Sequence, residues 1–178
     1  TPVNLYAPEN YHNILLSQLN DFDIHLNFEI NFIPLTGKDP VKILDDKYLT
    51  VSSFPLDHRV PAYGFLFREK PYDRNIRKDS IEKYKIPSVR IPAIKKGEDF
   101  VTIEGTVIKN EEITIPGPAP LSYAYCSDTK YFKRLSTFVR GVDLLYHEAT
   151  FESCMGSLAK TTGHSTTSDA ARIASEAG

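Results

Sequence analysis

The C-terminal stretch GVDLLYHEATFESCMGSLAKTTGHSTTSDAARIASEAG, Gly141 to Gly178, decides how the chain is read. Val142 to Tyr146 reads as a buried strand that delivers His147 and Glu148 at its end. A loop follows, then His164 beside a helix start. Thr166 with Asp169 makes a capping-box pattern, and Ala170, Ala171, Ile173, Ala174 and Ala177 give one apolar face. Two imidazoles and a carboxylate therefore fall at element ends. Such ends are held rigidly by the scaffold, and a helix N-terminus also favours anions such as phosphate. Read separately, His147 and Glu148 could merely cap a strand, and His164 could merely cap a helix.

Upstream, Leu121 to Cys126 has a buried-strand pattern and ends at Ser127-Asp128-Thr129. A carboxylate projecting from a strand end can bridge two cations about 3.5–4 Å apart, as two-metal hydrolases require. It can equally cap the helix expected over Tyr131 to Val139. Earlier still, Tyr48 to Phe54 reads as a strand running into Pro55-Leu56-Asp57-His58, and Tyr63 to Phe67 as the next strand, so His58 lies in a strand-to-strand loop.

The first forty residues predict a strand at Val3 to Tyr6 and a helix over Glu9 to Leu19, with Tyr11, Ile14, Leu15 and Leu19 on one face. His25 to Ile33 alternates, Leu26, Phe28, Ile30 and Phe32 against His25, Asn27, Glu29 and Asn31, which predicts a half-buried strand with His25 on the polar side. Pro34 to Pro40 reads as a turn. Val41 to Phe54 then reads as two strands joined around Asp45-Asp46.

From Pro71 to Pro120 the composition changes. Six of the chain's twelve prolines fall here, and hydrophobic periodicity fades. Between Asp73 and Asp99 eight Lys or Arg stand against five Asp or Glu, a locally basic stretch in an acidic chain. Phe100 to Ile108, broken at Glu104-Gly105, suggests a small hairpin. An insertion of this size with weak secondary structure is uncommon unless functional or disordered.

The chain of 178 residues has the size of one domain and can bury roughly 70% of its unfolded surface. A hydrophobic content of 41% and a charged content of 25% are ordinary for a globular protein. The net charge of −2 excludes bulk attraction to nucleic acid, so any RNA contact must come from a local patch. There is no apolar run approaching ~18 residues and no signal-peptide pattern, which predicts a cytoplasmic protein with no membrane contact. Cys126 and Cys154, without close spacing, fit reduced thiols.

HEATF at 147–151, followed by HST at 164–166 and an Ala-rich helix, resembles ribonuclease Z, the tRNA 3′-processing endonuclease family of the metallo-β-lactamase superfamily. SDT at 127–129 is similar to that family's Gly-Asp-Thr or Ser-Asp-Thr signature. The segment from His58 to Gly64 is similar to one in which a lone His ligates zinc. The resemblance implies an α/β (α+β) fold, the αβ/βα sandwich of the superfamily. It would be incomplete here, with core at 1–70 and 121–178 and an inserted extended arm, the exosite, at 71–120.

It further implies two Zn²⁺ ions, with Asp128 bridging them and His58 ligating one. Glu148 and His164 would form a catalytic pair that helps protonate the leaving 3′-oxygen, and His147 would orient the loop. The substrate would be a tRNA precursor, gripped through phosphates by Arg74, Arg77, Lys78, Lys83, Lys85, Arg90, Lys95 and Lys96, and the protein would be a homodimer. Two features depart from the family. The arm carries Tyr84 to Pro92 where many members have a Gly-Pro-rich knob, and neither the family's H-x-H-x-D-H motif nor its last ligand His is in these residues. A fragment cut at both ends, binding zinc weakly and cleaving nothing by itself, is therefore expected. Two other readings stay open: a hydrolase of the same superfamily acting on a small ester, with the arm as a lid, and a non-catalytic RNA-binding module.

Overall fold

The computed structural model describes residues 2–178. In chain order the elements are β1 (Val3–Pro8), α1 (Tyr11–Asp21), β2 (Ile30–Leu35), β3 (Val41–Asp45), β4 (Leu49–Leu56), β5 (Ala62–Glu69), β6 (Asn75–Ile76), α2 (Lys78–Lys83), a 3₁₀ turn (Ser88–Arg90) and α3 (Ile91–Lys95). Then come β7 (Phe100–Val101), β8 (Val107–Ile108), α4 (Asn110–Ile113), β9 (Thr114–Ile115), β10 (Ser122–Cys126), α5 (Arg134–Phe138), β11 (Leu144–His147), a 3₁₀ turn (Ser153–Met155), α6 (Gly156–Thr162) and α7 (Thr167–Ala177). Two compact units result. One runs up to Arg68 and resumes at Leu121; the other is Glu69–Pro120.

The larger unit holds a five-stranded sheet in the order β11-β10-β5-β4-β3 and a separate parallel pair, β1 with β2. β10 runs parallel to β11 and antiparallel to β5. Alternation along β10 divides the sheet faces: Ala124 and Cys126 are fully buried, while Tyr125 is partly exposed between them. The buried side joins Phe54, Leu56, Leu135, Val139, Ile173 and Ala177 in one core, so α5 and α7 cover this face. Burying Phe54 alone stabilises the fold by roughly 1.5–3 kcal/mol. Gly64 on β5 makes room for its ring, because a Cβ there would lie 2.3 Å from Phe54 Cε2 and 2.8 Å from the Tyr125 carbonyl oxygen.

Four expectations are corrected. The strand expected to be buried over Val142 to Tyr146 spans Leu144–His147, with Leu144 and Tyr146 exposed. The strand expected over 25–33 begins only at Ile30 and continues through Pro34 to Leu35, because β2 takes its register from β1, Val3 opposite Ile30 through Pro8 opposite Leu35. The apolar face of α1 is not a core face: no residue of that helix is buried, and Ile14 is half exposed. On α7, only Ile173 and Ala177 of the five expected residues are buried; Ala171 and Ala174 face out. The capping box itself is formed, with Thr166 Oγ1 accepting from Asp169 N–H and the Asp169 carboxylate accepting from Thr166 N–H.

The smaller unit is compact where weak secondary structure was expected. Ile86, Ile94, Phe100, Ile108 and Ile113 form its own core, drawn from segments too far apart in sequence to show a period. Buried Asn110 ties the loops together, its amide nitrogen donating to the carbonyls of Ile94 (2.7 Å) and Glu98 (2.8 Å). The hairpin is present, with Phe100 opposite Ile108 and Val101 opposite Val107. Among the described residues no helix is long and apolar enough to cross a membrane.

Candidate metal centre

Four loops of the larger unit converge at the C-terminal ends of β4, β10 and β11. The loop after β4 carries Asp57 and His58, that after β10 carries Asp128 and Thr129, that after β11 carries Glu148 and Thr150, and that before α7 carries Gly163, His164 and Ser165. Backbone groups stitch them. Asp57 N–H donates to Thr129 Oγ1 (3.1 Å), Lys130 N–H to the Asp57 carbonyl (2.8 Å), and Ser165 Oγ to the Thr129 carbonyl (2.6 Å). Thr129 and Ser165 have no solvent exposure, so these bonds form away from competing water.

Within this frame His58, Asp128 and His164 each offer a ligand atom, all within 4.8 Å of one another. The imidazole rings of His58 and His164 meet edge to face with centroids 5.0 Å apart. Nitrogen and carboxylate donors of this kind suit zinc and similar divalent ions. Asp128 is exposed and does not cap the following helix, whose cap position is Lys133. His58 Nδ1 lies 2.6 Å from the Gly163 carbonyl oxygen. That ring nitrogen must donate, which leaves Nε2 with a free lone pair.

Glu148 is buried and made to accept. Its Oε1 receives Thr129 N–H (3.1 Å), Ser165 N–H (3.0 Å) and His164 Nδ1–H (3.0 Å), and its Oε2 receives the N–H and hydroxyl of Thr150 (both 2.9 Å). Burial by itself would raise its pKa, but the Thr150 and Thr129 N–H groups, the Thr150 hydroxyl and the Ser165 N–H together hold it below the ordinary Glu value. An ionised Glu148 fixes the proton of His164 on Nδ1. His164 therefore stands both in the ligand cluster and in a hydrogen-bonded pair with Glu148, where sequence reasoning placed it only in the pair.

The remaining histidines lie elsewhere or differ in kind. His12 stacks on Phe32 and His25 is exposed beside Asp23. His147 Nδ1 donates to the Glu148 carbonyl (2.6 Å), while its Nε2 is buried with no partner among the described residues. Burial pushes the Cys126 thiol up to about 12, so it is a packing residue. Sequence reasoning gave no role to Thr129, Thr150, Gly163 or Ser165, although each lies within two residues of one that it did select.

The eight cations of 74–96 do not gather at one point. Arg74 Nε donates to Thr114 Oγ1 (2.6 Å) inside its own unit, and Arg90 pairs with Glu98 (3.5 Å). Lys83, Lys85 and Arg90 share a cavity of about 640 Å³ with Tyr84, Pro87 and the residues from Phe100 to Glu104. Arg77, Lys78 and Lys96 are exposed apart from it, and Lys95 is half-buried.

Comparison with known proteins comes last. The chain is 40% identical over 176 residues to ribonuclease Z of Bacteroides fragilis, covering 99% of this chain and 58% of that protein. It is 39% identical over 176 residues to ribonuclease Z of Porphyromonas gingivalis, with the same coverage. It thus spans well under two thirds of the length of the curated relatives it matches. The crystal structure of human tRNase Z, short form, superposes with a TM-score of 0.60 at 17% identity, over 99% of this chain and 57% of that one. A metallo-β-lactamase fold protein from Bacillus subtilis superposes with a TM-score of 0.52 at 16% identity, over 99% and 48%. The fold is that of the metallo-β-lactamases. No protein-family model matches the chain.

Proposed function

We infer that the chain, homologous over nearly its whole length to ribonuclease Z, carries one side of the catalytic centre of a zinc-dependent endoribonuclease that removes 3′ extensions from tRNA precursors. The observation that carries this reading is the convergence of His58, Asp128 and His164 within 4.8 Å, beside a buried and ionised Glu148. The donor set fits zinc: His58 Nε2 and the exposed Asp128 carboxylate would hold it. When bound, a zinc pair lowers the pKa of water and offsets the charge on the phosphodiester. The residues of this chain do the rest. Glu148 keeps the His164 proton on Nδ1 and stabilises the imidazolium, from whose Nε2 a proton can reach the leaving 3′-oxygen, acid catalysis on the order of 10²–10⁴.

A catalytic zinc needs about three protein ligands, and these residues supply few of those required by a pair. The others would come from the part of the relatives' length that this chain does not span. By itself the chain would bind zinc weakly and leave RNA uncut. Lys83, Lys85 and Arg90, around one groove beside Tyr84, would hold tRNA phosphates and give affinity that falls with salt. A cytoplasmic homodimer completes the reading, and light scattering tests the dimer.

The deciding experiment compares three proteins on a 3′-extended tRNA precursor with Zn²⁺: a full-length protein containing this chain, its Asp128→Ala variant, and the 178-residue chain. Cleavage after the discriminator base by the first alone is expected. An intact, zinc-loaded full-length protein that leaves the precursor uncut would overturn the reading.

A further inference from the structure

The left-handed turn that ends α6 has a use beyond ending a helix. Gly163 has φ +85°, and its N–H together with that of His164 is taken by the Ala159 carbonyl (3.0 and 2.8 Å), which closes the helix. Its carbonyl oxygen meets His58 Nδ1 at 2.6 Å, across 105 residues of sequence. The fit leaves no room for a side chain: a Cβ at Gly163 would lie 2.8 Å from His58 Nδ1, 3.2 Å from Arg59 Cγ and 3.3 Å from the Arg59 backbone nitrogen. The shortest of these contacts is to the imidazole itself, so a Cβ here would displace the His58 ring, and an L side chain would resist this φ as well.

From this geometry we infer that Gly163 is a positioning residue, which fixes the ring plane of His58 and its Nδ1–H tautomer and so leaves the Nε2 lone pair as the one His58 can offer in the cluster with Asp128 and His164. One dipeptide then sets both imidazoles. Gly163 orients His58 through its carbonyl, and His164 follows in the next position with its own Nδ1 fixed by Glu148. A flexible cap at this point would leave His58 free to exchange tautomers and to rotate away. The value of the arrangement to a bound metal rests on the reading of His58 as a ligand; the tautomer does not.

The test uses the 178-residue chain with ¹⁵N-labelled histidine. Long-range ¹H–¹⁵N spectra of the wild type, with no metal added, report the tautomer of His58 directly. Titration with Zn²⁺, followed by calorimetry and by the His58 ring signals, reports affinity. Expected is the Nδ1–H form in the wild type, its loss in Gly163→Ala, and Zn²⁺ binding weakened about 10–100-fold in that variant. Gly141→Ala is the control, since Gly141 has φ +64° with nothing within 4 Å of its Cβ position. It too has a positive φ, and it should leave both readouts unchanged. An Nε2–H tautomer in the wild type would overturn the inference even if the variant fails to fold, and so would a folded Gly163→Ala that keeps the Nδ1–H form. Wild type with the Nδ1–H form but no response to Zn²⁺ supports the positioning role and counts against the metal reading alone.

Discussion

Glu148 Oε1 and His164 Nδ1 lie 3.0 Å apart, and the same oxygen also accepts the N–H groups of Thr129 and Ser165. The carboxylate therefore has two roles, one toward the imidazole and one toward the loops that hold it. Replacing it by Ala strands buried N–H donors, a loss of about 1–3 kcal/mol for each left unsatisfied. Glu148→Ala should lower the urea midpoint clearly, and Glu148→Gln less so. Both should reduce cleavage by the full-length protein.

The pH dependence follows in sign. A carboxylate held below its ordinary value of 4.5 adds stability that is fully present above that value and is lost as pH falls through its lowered folded value. Urea unfolding of the wild type from pH 7 to pH 3 should thus show a decline on the acid side. In Glu148→Gln the decline should be shallower.

Asp128 is exposed, and its carboxylate takes no hydrogen bond or ion pair among the described residues. Asp128→Ala should change stability by no more than about 0.5 kcal/mol. If Asp128 holds the metal as proposed, cleavage by the full-length protein should fall by a factor of about 100 or more. Thermal melting beside an activity assay separates the two effects.

Lys83, Lys85 and Arg90 border one cavity, whereas Arg74 bonds within its unit. Each Ala substitution among the first three should reduce the slope of log affinity against log salt by about 0.7–0.9. Arg74→Ala should instead destabilise the unit, read as faster proteolysis of Glu69–Pro120, with the salt slope unchanged.

Gly64 faces the ring of Phe54 and the carbonyl of Tyr125. Gly64→Ala should overpack the core and cost about 1–3 kcal/mol, with a corresponding drop in melting temperature. Gly37→Ala, at a position with open space around it, should leave the Phe54 packing untouched.

What sequence could reach in this protein was local. The strand over Leu121 to Cys126 and the Thr166–Asp169 capping box were both legible, because a pleat and a first helical turn each involve neighbours only. The strand over 25–29 failed for the opposite reason: alternation makes a strand only where a partner is in register, and β1 offers one from Ile30 onward. The core of Ile86, Ile94, Phe100, Ile108 and Ile113 was hidden likewise, having no period to show.

By itself the sequence placed Asp128, Glu148 and His164 beside element ends and His58 in a loop between strands, and its resemblance to a known family singled out these four side chains. Only the tertiary structure decided that four loops meet, that Glu148 is desolvated and still ionised because three loops turn N–H groups toward it, and that the Gly163 carbonyl meets His58. Those are relations between groups as many as 105 residues apart, and no local propensity encodes the distance or direction on which a hydrogen bond depends.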